Sequence, residues 1–442
     1  MRRMAVVAVV TLVALVMTVP AASGAPGPAR AGKAERVDFN DDGFADLAVG
    51  VPEEDVGAAG AAGAVNVLFG SADGLQASAD VFFQGSGGVG GALEDGDRFG
   101  SAVAEGDFNG DGIFDLAVGA PGEGIGALGD AGAVTVLFGS DLGLTTTGSQ
   151  TLFQGGSGVA GTAEGGDGFG LSLATGLLAG DDFADLVVGV PFEDVGSTVR
   201  AGAVNVLAGS SGGLVNGSLV TQGNPEQTDV FGSAVATGDF DDTAGDDVAV
   251  GAPGERVNGV FSAGAVSVFN GPPSGLANER LLFQGTAGIP GSPENLDQFG
   301  SAVAPTDSNG IGQWDLAVGV PGEDVGPDQD AGAVNLLAGS TAGPSGGSLV
   351  LQGNPEDHDR FGAAIAGGFF LHDFDLNGFF DLAVGAPGET VGSRAAAAGA
   401  VSVFPAFGGG GGVVTPGPAF TQGSGGLGGT AETGDSFGAA LE

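Results

Sequence analysis

Carboxylates recur in this sequence at a spacing that suits a hard cation. Nine-residue segments of the form Asp-x-Asx-x-Asx-Gly-x-x-Asp start at Asp38 and Asp107, with counterparts at Leu177, Asp239, Asp307 and Asp373. In a tight loop, side chains at positions 1, 3 and 5 can turn inward together. Position 7 can add a backbone carbonyl and position 9 a further carboxylate. Ca²⁺ takes six to eight oxygens, and a glycine at position 6 permits the sharp turn that gathers them. The first loop offers Asp38, Asn40, Asp42 and Asp46 with the carbonyl of Phe44, and the second offers Asp107, Asn109, Asp111 and Asp115 with that of Ile113. The sixth offers Asp373, Asp375, Asn377 and Asp381 with that of Phe379. The fourth has Asp239, Asp241, Thr243 and Asp247 with the carbonyl of Gly245, but Thr243 is a weaker ligand and Ala244 replaces the turn glycine. The fifth keeps Asp307, Asn309 and Asp315, while Ile311 cannot coordinate, so it is a weak site. The third has Leu177 and Ala179 at its first two ligand positions and should be empty. A single such segment reads equally well as a turn capped by Asx side chains. Recurrence at one place in a repeating unit favours metal. About four calcium ions are expected, and five if the fifth loop binds. Mg²⁺ suits the loops less, because it prefers an octahedral shell with several waters.

The loops recur because the whole unit recurs. Their starts are 69, 70, 62, 68 and 66 residues apart. Before a loop comes an apolar stretch opened by Phe-Gly, at Phe99, Phe169, Phe231, Phe299, Phe361 and Phe437. After it come Leu-Ala-Val-Gly-x-Pro, as in Leu116 to Pro121, then Gly-Ala-Val-x-Val, as in Gly132 to Val136. The unit closes on Gln-Gly, at Gln84, Gln154, Gln222, Gln284, Gln352 and Gln422. Four short apolar runs per unit, punctuated by Gly, Pro and Asp, read as four strands. Val65, Val67 and Phe69 share one face, the period of two of a strand. A four-stranded sheet of this size cannot bury both faces alone, so neighbours must stack, and radial stacking gives a propeller. The glycines then serve turns and close approach between sheets. Units of 40–45 residues with Gly-His and Trp-Asp marks, or back-to-back acidic nonapeptides, would indicate other architectures. The sequence has neither.

Phe-Gly, the acidic loop and then Gly-Ala-Pro, as in Gly119-Ala120-Pro121, Gly251-Ala252-Pro253 and Gly385-Ala386-Pro387, resemble the FG-GAP repeat of the integrin α head. The first, third and fifth units carry Gly-Val-Pro instead. The resemblance implies an all-β propeller of four-stranded antiparallel blades, calcium in loops on one face, and ligands bound mainly on the other. It brings seven blades as the alternative to the six that the units predict. The first unit lacks a Phe-Gly strand and the chain ends just after one, so the two termini are expected to share a blade.

Composition narrows the function. Fifty-four acidic residues against 11 basic ones give a formal charge of −43. Nucleic acid is excluded as a partner, because phosphate binding needs a basic surface. There is no Cys, which removes disulfides, thiolate zinc sites and thiol catalysis. Residues 1–25 read as a signal peptide: Met1-Arg2-Arg3, an apolar run from Ala5 to Val19, then small residues. Residues 26–36 form a linker and 37–442 the propeller, so the product is expected to be secreted, monomeric and not inserted in a membrane.

Two further acidic series accompany the loops. One lies two residues after a Pro, at Glu54, Glu123, Glu193, Glu255, Glu323 and Glu389. The other precedes each Phe-Gly, as Glu94 with Asp97 or Glu294 with Asp297. Solvated loop charges and turn caps are the ordinary reading; a ring of carboxylates for a cationic or hydroxyl-rich partner is the functional one. His358 and His372 read as loop residues rather than a catalytic pair, and Trp314 as a packing residue rather than a sugar platform. No nucleophile elbow, phosphate loop or zinc His pair is present. The expected function is a calcium-binding adhesion module for an extracellular protein or glycan, not an enzyme. The alternative is a propeller-based extracellular hydrolase or polysaccharide lyase.

Overall fold

The computed structural model describes residues 36–441 apart from 77–78, 157, 244, 272–275, 308–312, 368–380, 393–395, 406–418, 423 and 425–429. Residues 1–25, read above as a signal peptide, and all of the expected linker except Arg36 lie outside these residues, as do Asn309, Ile311, His372, Asp373, Asp375, Asn377 and Phe379.

Every described element is a strand, and the strands fall into six antiparallel sheets that follow the repeat. The first holds β1 (Leu47–Val51), β2 (Ala64–Leu68) and β3 (Ala79–Phe82). The second holds β4 (Val103–Gly106), β5 (Asp115–Ala120), β6 (Ala133–Phe138) and β7 (Thr145–Leu152). The third holds β8 (Leu173–Gly176), β9 (Asp185–Val190), β10 (Ala203–Ala208) and β11 (Val215–Val220). The fourth holds β12 (Val235–Gly238), β13 (Asp247–Ala252), β14 (Ala265–Asn270) and β15 (Ala277–Leu282). The fifth holds β16 (Val303–Thr306), β17 (Asp315–Val320), β18 (Ala333–Ala338) and β19 (Ser345–Val350). The sixth holds β20 (Ala364–Ala366), β21 (Leu382–Ala386), β22 (Ala400–Phe404) and β23 (Ala419–Phe420). Within each sheet the strands lie in chain order. Together they make a six-bladed β-propeller.

Stacking buries what a lone sheet could not. Each of the five hydrophobic clusters joins two successive blades; one runs from Phe108 and Val136 in the second to Leu186 and Leu207 in the third. The second strands β5, β9, β13 and β17 are buried at every residue, because a neighbouring blade covers each face. That is why they read as unbroken apolar runs rather than alternating ones. Close approach is literal at Gly119, where an added Cβ would lie 2.0 Å from the carbonyl oxygen of Gly170 in the next blade. Gly251 meets Gly300 at the same 2.0 Å. At the far end of the chain, Phe437 bridges to Gly399 and Gly438 packs on Gly385, as earlier Phe-Gly pairs pack on the blade before them.

The topology separates two faces. The acidic loop enters each second strand, and the Pro-x-Glu turn leaves it at the opposite end. The Glu-x-x-Asp turns precede the first strands and so share the Pro-x-Glu face.

Candidate metal centres

The acidic loops sit where blades meet. The position-1 carbonyl of one loop accepts from the position-8 N–H of the next blade's loop. The pairs are Phe114 to Asp38 (3.2 Å), Ala184 to Asp107 (3.0 Å), Asp246 to Leu177 (3.1 Å) and Trp314 to Asp239 (3.0 Å). The loops therefore form a chain of links along one rim, and an ion in a loop would brace two blades. Trp314, at one such link, packs against the core shared by the fourth and fifth blades, as its packing role required.

Position 9 is anchored by backbone donors. Asp46 accepts from Phe39 N–H and Gly70 N–H, both at 2.8 Å. Asp115 does the same with Phe108 and Gly139, and Asp247 with Phe240 and Gly271. Asp315 accepts from Gly339. Asp381 is fully buried. Burial pushes Asp115 and Asp247 up to about 7, against the pull of these N–H groups, and the charges of the other loop aspartates add to the rise. Burial likewise raises Asp46 and Asp185. A carboxylate held in this way is a standing demand for positive charge.

The inward residues differ among loops. In the first, Asp38 accepts from Asn40, Asp42 and Gly43 N–H, and Asp42 from Phe44 N–H. In the second, Asp107 accepts from Gly110, Asp111 and Gly112 N–H, and Asp111 from Ile113 N–H. Gly43 (φ +85°) and Gly112 (φ +90°) make the turn that presents these donors, as position 6 required. The fourth loop is assembled most tightly: carboxylate oxygens of Asp239, Asp241 and Asp247 lie within 4.8 Å of one another. Among the described residues this is the one group of three acids drawn so close. Its residue pattern ranked it below the first two loops. In space its three acids come together, with Asp242 N–H donating to Asp239 and Thr243 N–H to Asp241. Three carboxylates at that distance fit a divalent cation. Asn270, 29 residues beyond Asp241, also donates its side-chain amide to it. Only its place at the end of a third strand could have flagged it.

The third loop, expected to be empty, has its junction tied by hydrogen bonds. Asp185 accepts from both Leu178 and Ala179 N–H (2.6 and 2.7 Å), and Asp246 of the next blade accepts from Leu177 N–H at 2.7 Å.

On the opposite face the Pro-x-Glu carboxylates are neither a solvated ring nor simple caps. Glu123, Glu193 and Glu255 are buried. The Gln that closes one unit reaches the Glu of the next: Gln84 donates to Glu123 at 2.7 Å, Gln222 to Glu255 at 2.8 Å and Gln284 to Glu323 at 2.6 Å, with Gln352 bonded to Glu389. The Asp of each Glu-x-x-Asp turn accepts from the N–H of its own Glu, as Asp97 does from Glu94. Burial, with the neighbouring Asp97 charge, pushes Glu123 up to about 7; burial and Asp229 do the same to Glu255. Asp97, Asp167 and Asp229 rise to about 6, chiefly through burial. Sequence reasoning found these residues but not their pairing, since the Gln and its Glu are 33 to 39 residues apart. In the fifth unit this face opens into a cleft of about 200 Å³ lined by Glu294, Asp297, Asp324 and Asp330, with Asn295 and Gln329. His358 is largely exposed, with Nδ1 2.9 Å from a carboxylate oxygen of Asp330.

Comparison with known proteins agrees with this picture. The FG-GAP repeat family matches residues 37–68, 99–137 and 370–404. Integrin alpha-5 of Xenopus laevis is 31% identical over 229 residues, 50% of this chain and 20% of that protein. Phosphatidylinositol-glycan-specific phospholipase D of Bos taurus is 36% identical over 176 residues, 40% of this chain and 20% of that protein. The chain thus spans about a fifth of the length of the curated relatives it matches. Among solved structures, a Bacillus licheniformis rhamnogalacturonan lyase aligns over 75% of this chain and 68% of its own, at 11% identity and a TM-score of 0.34, too distant to carry a functional argument.

Proposed function

We propose, from its FG-GAP repeats and its integrin-α-like β-propeller, that the chain is a secreted, calcium-stabilised binding module for an extracellular protein or glycan. The observation that carries the reading is the convergence of Asp239, Asp241 and Asp247 within 4.8 Å at a junction between blades. Calcium there joins two blades and neutralises carboxylates that burial leaves costly to ionise. Asp38, Asn40, Asp42 and Asp46, and Asp107, Asn109, Asp111 and Asp115, hold further ions in the first two loops. The calcium face is then structural, and the opposite face is left for recognition. Its acid-lined cleft suits a partner that presents cationic or hydroxyl-rich groups.

The test is an array of glycans and matrix proteins probed with the full chain in calcium. Specific binding that falls at least tenfold in the double variant Asp324→Asn/Asp330→Asn is expected. Binding indifferent to that variant contradicts the assignment of the face. Turnover of pectic polysaccharides or phospholipids by the chain would place it with the enzymes instead.

A further inference from the structure

We propose that Asn270 is a ligand of the cation in the fourth loop, supplied from outside the loop by the end of β14. The proposal rests on the reading that the acidic loops hold calcium.

The fourth loop is short of ligands. Its position 5 is Thr243, and Ala244 stands where the first two loops have glycine. Asp239, Asp241, Asp247 and one carbonyl do not complete the six to eight oxygens that calcium takes. Asn270 is placed to make up part of the deficit. The pairing of β14 with β15 shifts register between Val268 and Asn270, and the same irregularity occurs at the ends of β6, β10 and β18. Such bulges re-aim the residue that follows. In the other three blades that residue is Phe138, Ala208 or Ala338, which offers no side-chain oxygen. In the fourth it is an amide, and its nitrogen meets Asp241, a member of the three-carboxylate group.

An asparagine amide has two faces for the two states of such a site. Without an ion, the NH₂ group donates to Asp241 and softens the repulsion among the acids. With an ion, half a turn of the amide presents Oδ1, a neutral hard ligand of the kind calcium accepts. The compensation is local: the loop whose own pattern is most degraded, among those that keep three acids, is the one whose neighbouring strand carries an oxygen.

The competing role is that of a hydrogen-bond donor that only orients Asp241. Calcium binding to the full chain, read by titration and by ion counting, separates the two. Asn270→Ala should weaken calcium at one site by about tenfold or more; the fold tolerates Ala here, as Ala208 and Ala338 show. Asn270→Asp should restore or tighten that site, because a carboxylate can ligate but cannot donate, while lowering the melting temperature in chelator. If Asn270→Asp weakens calcium as much as Asn270→Ala, or if Asn270→Ala leaves binding unchanged, Asn270 is not a ligand. If Asp241→Asn also costs no ion, the loop reading itself falls, and this proposal with it.

Discussion

Position 9 of the acidic loop carries two roles that mutation can separate. In the third unit, where ligands are missing, Asp185 still accepts from Gly209, Leu178 and Ala179 N–H. The residue therefore persists for the backbone, with or without an ion. Asp185→Asn puts an NH₂ group against these donors and leaves buried N–H groups unpaired. It should destabilise the protein by about 1–3 kcal/mol, equally in calcium and in chelator. Asp239→Asn keeps an oxygen for Asp242 N–H and takes one charge out of the three-carboxylate group, so in chelator it should cost less than Asp185→Asn. In calcium it should remove most of that ion's contribution. Urea unfolding of both variants under both conditions checks the pair. If Asp185→Asn were harmless, position 9 would be a ligand only. The nonapeptide itself was legible from residue types and spacing. The backbone role was not, because its Gly partners lie 24 residues away, at the far end of the third strand.

At the scale of the blade, the described junctions from the first blade to the fifth are held at both rims and through their cores. The strands and their order followed from the repeat, because four apolar runs with turn residues between them admit few arrangements. The buried Glu and Gln pairs did not follow: a Pro-x-Glu turn looks like solvated loop until the preceding blade is set against it. These pairs make a prediction of unusual sign. Burial raises Glu123, Glu193 and Glu255 to about 7 and Asp297 and Asp359 to about 7, above the values carboxylates have in an unfolded chain. The folded state then binds more protons than the unfolded one, so stability falls as pH rises from about 4 to about 7. In chelator the protein should melt higher at pH 5 than at pH 8, the reverse of ordinary acid denaturation. Glu255→Gln keeps an acceptor for Gln222 and removes the charge. It should raise stability at pH 8 by on the order of 1 kcal/mol and reduce the pH dependence. Melting curves that rise with pH, or a variant that loses stability at pH 8, would show these carboxylates to be ionised at little cost.

Over the whole molecule, the net charge of −43 sets the problem that the fold must solve. Self-repulsion of this size opposes a compact state. Four divalent ions would offset about 8 of those charges, and they would do so at the junctions where acids from one blade meet the backbone of the next. Six blades were legible from six units. The close approach of Asp239, Asp241 and Asp247 was not, since it depends on how the folded loop aims each side chain. The most direct measurement is thermal melting of the full chain in EDTA, then with calcium or magnesium added back, followed by ion counting. The account predicts a large fall in melting temperature in chelator, recovery by calcium well beyond that by magnesium, and about four calcium ions per chain. A melting temperature that does not change between EDTA and calcium would contradict it.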